Sequence, residues 1–102
     1  MSVAIYTRVS SSENKSNLDS QAQRLLSYCT AKGWQVSSIV KEIGSGLNDS
    51  RPKLLKLLKE ESVTLIVVEH KDRLTRFGFN YIEALFEIQG RQSEVVNLAE
   101  KE

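Results

Sequence analysis

Residues 63–68 read Val-Thr-Leu-Ile-Val-Val, an apolar, β-branched run closed by the acidic Glu69. A strand with no clean polar alternation has to be covered on both faces, the situation of a parallel sheet held between layers of helix. The rest of the chain meets that demand. Val3-Ala4-Ile5-Tyr6-Thr7-Arg8-Val9 reads as a second buried strand, and Trp34 to Ile43, carrying Val36, Ile39 and Val40, as a third. Asn17 is the expected N-cap of a helix whose Leu18, Ala22, Leu25, Leu26 and Cys29 recur at helical period, with Gly33 as its stop. Gly44 to Ser50 has the composition of a mobile loop. Asp49 and Ser50 are capping candidates for a helix that takes Pro52 in its first turn and runs through Leu54, Leu55, Leu57 and Leu58 to about Glu61. Phe79, Ile82, Leu85 and Phe86 mark a third helix, stopped near Gly90, and Val95-Val96-Asn97-Leu98 reads as a last short strand. This alternation predicts an α/β fold: a three-layer, mostly parallel four-stranded sheet flanked by helices.

A chain of 102 residues has material for one core and little for a second. Its 14 Lys and Arg against 13 Asp and Glu give a net charge of +1, which excludes a histone-like surface. Affinity for phosphate has to come from local clustering of basic residues. No apolar run approaches the roughly 20 residues of a membrane span. Met1 leads directly into Val3-Ala4-Ile5-Tyr6, so a signal peptide is not expected. The single Cys29 is expected in the core, and no Cys/His set has zinc spacing. The expectation is a cytoplasmic, reduced domain that uses neither metal nor cofactor.

Ligands of open α/β sheets gather beyond the carboxyl ends of the strands. The loops after the first three strands hold Arg8-Val9-Ser10, Gly44 to Arg51, and Asp72-Arg73-Leu74-Thr75-Arg76, and they should converge. Arg8 and Ser10, two apart, share a face in extended geometry, whereas Arg73 and Arg76 share one side of a helical turn. Cations at a helix start oppose its dipole unless an anion docks there. Alone, Ser10 to Ser12 would be loop filler, and His70 reads as a hydrogen-bonded structural residue. Gly44 and Gly46 fit no phosphate-loop pattern and read as a hinge. Taken together, a hydroxyl, several guanidiniums and no metal-ligand set favour attack on a phosphodiester, with arginines neutralising the charge that metal ions neutralise elsewhere.

These residues carry a resemblance. Tyr6-Thr7-Arg8-Val9-Ser10-Ser11 resembles the nucleophile motif of the serine recombinases, the resolvase/invertase family, and Leu18-Asp19-Ser20-Gln21 its Leu-Asp-x-Gln. Gly44-Ser45-Gly46 followed by Asp49-Ser50-Arg51-Pro52 is similar to its mobile loop, and Asp72-Arg73-Leu74-Thr75-Arg76 to its Asp-Arg-Leu-x-Arg. The run from Glu69 to Gly78 looks most like the serine transposases of prokaryotic insertion sequences. Two departures stand out: the stretch from Ser10 to Leu18 is longer than in resolvases, and Glu13 and Asn14 stand where they carry glutamines.

The resemblance implies that Ser10 attacks DNA, forming a 5′-phosphoserine bond and releasing a 3′-hydroxyl without ATP or metal. It implies that Arg8, Arg73 and Arg76 clamp the phosphate, one of them lowering the pKa of Ser10, and that Arg51 completes the pocket when the loop closes. Asp72 either donates a proton to the leaving oxygen or holds an arginine, the second being favoured, and Gln21 orients an arginine or the phosphate. The implied partners are double-stranded element ends and further copies of the full-length protein, as dimer and tetramer. Residues 1–102 read as the catalytic domain cut before the long oligomerisation helix, without a DNA-binding domain. The alternative is a catalytically incomplete fragment that associates with intact recombinase.

Overall fold

The computed structural model describes residues 1–47 and 50–97. Strand β1 (Val3–Val9) is buried along its whole length. It pairs in parallel with β2 (Val36–Ile43) on one side and β3 (Leu65–Val68) on the other, and β4 (Gln92–Val95) continues in parallel beyond β3. The order is β2-β1-β3-β4, so the expected four-stranded parallel sheet is the fold.

Helix α1 (Ser16–Ala31) covers one face, where Leu25 and Cys29 pack on Val3, Ile5, Leu65 and Val67. Helix α2 (Pro52–Lys59), the single turn α3 (Lys71–Leu74) and helix α4 (Phe79–Ile88) cover the other. There Leu54, Leu57, Leu74 and Phe86 meet Ala4, Tyr6, Ile66 and Val68. Odd and even residues of β1 thus serve opposite layers, as the period of a strand requires.

Element ends depart from expectation where chain geometry overrides composition. Helix α1 starts at Ser16 with Lys15 at the N-cap rather than Asn17, because residues Ser12–Asn14 form a 3-10 turn that runs on into the helix. Its other end is the expected glycine stop: Gly33 has φ +78°, its N–H donates to Thr30 O, and the Trp34 N–H donates to Cys29 O. With the Trp34 N–H committed to that turn, β2 starts at Val36 rather than Trp34. The strongest predicted strand, 63–69, shortens to Leu65–Val68.

Helix α2 ends at Lys59 rather than Glu61, and its cap comes from elsewhere in the chain. Asp49 lies outside the described residues, and Arg51 holds the N-cap position without a capping side chain. The buried carboxylate of Glu42, on β2, instead accepts the N–H groups of Lys53 (2.8 Å) and Leu54 (3.0 Å). Strand β4 was expected at 95–98 but occupies Gln92–Val95. Gly90 (φ +72°) stops α4 so sharply that the chain enters the sheet two residues later, and the edge position tolerates Gln92, Ser93 and Glu94. Leu98 lies outside the described residues.

Arg91, between α4 and β4, is buried and uses all five of its N–H groups. Nε donates to Val63 O, one terminal nitrogen to Leu58 O and Gln89 Oε1, the other to Leu57 O and Glu60 O, at 2.8–3.1 Å. Its Cζ lies over the Phe86 ring, 4.1 Å from the centroid. A cation thus closes the carbonyl end of α2, where the helix dipole favours it. Arg91→Ala orphans these carbonyls and is expected to cost about 3 kcal/mol. Thermal or urea unfolding measures this, and Arg91→Lys should recover less than half, because an ammonium has three donors and no plane.

Candidate active site

From the centre of the sheet the chain moves outward to β2 and later, in the other direction, to β3 and β4. The point of reversal lies between the carboxyl ends of β1 and β3, where open α/β sheets form a crevice. Here the β1–β3 ladder stops early, pairing only Val3–Ile5 with Leu65–Val67. Gln21 of α1, 1% exposed, takes up what the ladder leaves. Its Nε2 donates to Arg8 O (3.0 Å) and its Oε1 accepts the Arg8 N–H (3.3 Å), so an amide side chain stands in for a neighbouring strand.

The Arg8 side chain, on β1 and 3% exposed, ties two loops to the strand. Nε donates to Arg73 O (2.9 Å), one terminal nitrogen to Gly44 O (2.9 Å), and the other to Asp72 O. The loops after β2 and β3 therefore converge on the end of β1. Arg73 answers by donating to Arg8 O (3.2 Å), and its Nε is buried with no hydrogen-bond partner among the described residues. Arg51, also buried, donates to the Tyr6 hydroxyl (3.0 Å) and to Leu74 O (2.6 Å). Burial, and then the neighbouring Arg51 and Arg73 charges, push the Arg8 guanidinium below its ordinary pKa.

Gly46 has a strict reason to be glycine. A Cβ there would lie 2.4 Å from Arg76 Cγ and 2.9 Å from a terminal nitrogen of Arg8. The Arg76 N–H donates to Gly46 O (3.1 Å), so the loop after β2 seats directly on the segment after β3, and the Arg76 side chain extends over it into solvent. Ser10 follows β1 directly, is exposed, and makes no hydrogen bond among the described residues. Asp72 has an exposed side chain and holds Arg8 through its carbonyl. An open cavity of about 820 Å³ borders this cluster, with Lys71, Asp72, Arg73, Phe79 and Glu83 in its wall. His70 pairs with Asn97 Oδ1 through Nδ1 (3.3 Å), a structural contact.

Sequence reasoning did not single out Tyr6 or Glu42 as individual contributors. The buried Tyr6 hydroxyl donates to Glu42 Oε1 (2.7 Å) while accepting from Arg51. Glu42, the register partner of Arg8, is thus a carboxylate buried close to Arg51. Its signal would have been the register itself, which no local pattern displays. Among the described residues no group of three or more His, Cys, Asp or Glu comes together as a metal site, and no helix is long and apolar enough to cross a membrane.

This arrangement belongs to a known class. Residues 3–102 match the family model described as Resolvase, N terminal domain, and the chain belongs to that family, the serine recombinases. Among solved structures it is similar to the C-terminal catalytic domain of ISC1926 TnpA, an IS607-like serine recombinase: 49% identity, TM-score 0.89, covering 94% of this chain and 70% of that one. It is also similar to a serine recombinase from Sulfolobus solfataricus (37% identity, TM-score 0.87, 98% of this chain and 71% of that one). A curated relative, an uncharacterized protein of Mycobacterium tuberculosis (strain ATCC 25618 / H37Rv), is 37% identical over 97 residues, 95% of this chain. The chain spans about a third of the length of that relative (33%).

The buried phenol offers a pH test. Burial, followed by the hydrogen bond to Glu42, raises the Tyr6 pKa far above its usual value of 10.0. The unfolded chain therefore releases this proton first, and the contribution of Tyr6 to stability, intact below about pH 10, declines as pH rises beyond it. Denaturant titrations from pH 8 to 11 should show that decline, and Tyr6→Phe should flatten it while costing about 1–2 kcal/mol at neutral pH.

Proposed function

We propose that this chain is the catalytic domain of a DNA transposase that cuts and rejoins strands through Ser10. The observation that supports this best is the set of guanidiniums gathered at the β1–β3 crevice, among them Arg73 with a buried Nε that lacks an acceptor among the described residues. A buried orphan donor costs free energy until an acceptor arrives, and a phosphodiester oxygen is an acceptor of the right charge. Ser10, at the exposed end of the strand that carries Arg8, is the hydroxyl next to that crevice in the chain.

In this reading the Ser10 oxygen attacks phosphorus, the 3′ oxygen leaves with a proton, and a 5′-phosphoserine link conserves the bond for rejoining. No metal is required, because Arg73 and Arg76 meet the developing charge on the phosphoryl oxygens and Arg8, fixed by three carbonyls, positions both loops. Arg51 steadies the loop between β2 and α2, Gln21 fixes the main chain of Arg8, and Asp72 supports Arg8 through its carbonyl. The full-length protein acts on double-stranded element ends in the cytoplasm and assembles as dimer and tetramer. Support for assembly comes from an exposed apolar row on α4, Tyr81, Leu85 and Ile88 at helical spacing, with Phe77 exposed just before the helix.

Full-length protein incubated with supercoiled DNA carrying the element ends, in chelator and without magnesium, should become covalently attached to 5′ ends. Ser10→Ala should abolish the adduct, and Arg73→Ala should slow its formation at least about 100-fold. Adduct formation by the Ser10→Ala protein would overturn the reading.

A further inference from the structure

Arg24 belongs to none of the motifs above, and Glu69, which opens the 69–78 run, has been given no role. Glu69, directly after β3, is 1% exposed, and both carboxylate oxygens are held by Arg24 of α1, one by Nε and the other by a terminal nitrogen at 2.9 Å. Arg24 itself is 43% exposed. Burying a carboxylate and ordering a long cation to meet it is a poor source of stability, since desolvation offsets the attraction and apolar residues of similar volume commonly do as well. The pair is better understood from where it sits.

Arg24 stands three residues after Gln21, so the two project from one side of α1. Gln21 grips β1 at Arg8, whereas Arg24 grips the chain at Glu69, the first residue beyond β3. Between these grips the β1–β3 ladder has already ended at Ile5 and Val67. Three residues after Glu69, the main chain presents the carbonyls of Asp72 and Arg73 to the Arg8 guanidinium. The Glu69 carbonyl also receives the Asn97 N–H (2.6 Å), and Asn97 in turn meets His70. One helix face therefore sets the separation of the two strand ends, and that separation sets where Arg73 stands relative to Arg8.

We infer that Arg24 and Glu69 are a positioning pair for the recombinase site: their ion pair holds the start of the 70–76 segment at the distance from β1 that brings Arg73 to the reacting phosphate. Neither residue touches the phosphate. The inference rests on the function proposed above, and its test separates the two.

The full-length protein carrying Arg24→Met with Glu69→Leu removes both charges and leaves neither unpaired. Its melting temperature is expected within a few degrees of wild type and its half-saturating DNA concentration within about twofold. Its single-turnover rate of covalent attachment should fall about 10- to 100-fold, the range for a small misplacement of a reacting group. A double variant that folds and attaches at the wild-type rate overturns the inference. Glu69→Gln, which keeps shape and removes charge, is the second arm: an unchanged rate overturns the inference here too, and a slowed rate at unchanged half-saturation supports it. The Arg8 Nε–H resonance reads the geometry independently of activity, because that proton bonds Arg73 O; it should shift in Glu69→Gln, and an unmoved resonance overturns the inference. If the wild-type protein forms no adduct, the proposed function fails while this resonance still decides the pair.

Discussion

A guanidinium has five donors, no acceptor and a charge that cannot be shed at neutral pH, so burying one forces the surrounding chain to supply oxygens. Arg8 imposes that demand at the end of the central strand. The carbonyls that satisfy it come from Gly44, Asp72 and Arg73, three residues in two loops that have no other reason to meet. This charge, together with Leu74 buried from the same segment as Arg73, holds the crevice between β1 and β3 in shape. The neighbouring Arg51 and Arg73 make the same demand, and Glu42 is the buried carboxylate close to Arg51. A site organised in this way attracts anions because its cations outnumber its local counter-charges.

Much of the fold was legible because it follows from periodicity. The bounds of β1, the stripe on α1 and the glycine stop at residue 33 depend on neighbours in sequence, and a reader of the chain has those in hand. Failures cluster where a partner is distant. The α2 cap is Glu42, from the preceding strand, and nothing in residues 49–52 announces it. Arg91 drew no notice in the sequence, because the carbonyls it serves belong to the end of α2, about 30 residues earlier. Strand β4 hid because its residues are polar and lie at the sheet edge, so the later valines drew the expected strand three residues too far.

The site shows the same division. Residue types and spacing bring Arg8, Arg73 and Arg76 into consideration, the family resemblance adds Arg51, and the parallel topology gathers the loops after β2 and β3 at the end of β1. What sequence could not convey is the division of labour among identical side chains. Arg8 and Arg51 direct donors at carbonyls and a phenol, Arg73 keeps one donor without an acceptor among the described residues, and Arg76 lies over Gly46. Four arginines that look alike in the chain differ in what surrounds each one, and the surroundings come from four separate elements. The Arg24–Glu69 pair was hidden for the same reason, its members being 45 residues apart.

The placement of β1 at the middle of a parallel sheet bears on how the chain is made. Of the four strands it is translated before the others, yet its partners on either side begin at Val36 and Leu65, and a parallel pair cannot close through a tight hairpin. A segment rich in Val, Ile and Tyr thus emerges from the ribosome well before either neighbour exists. Until residue 68 has left the exit tunnel, a flank of this most buried strand lacks its mate, and the nascent chain is at its most adhesive during that interval.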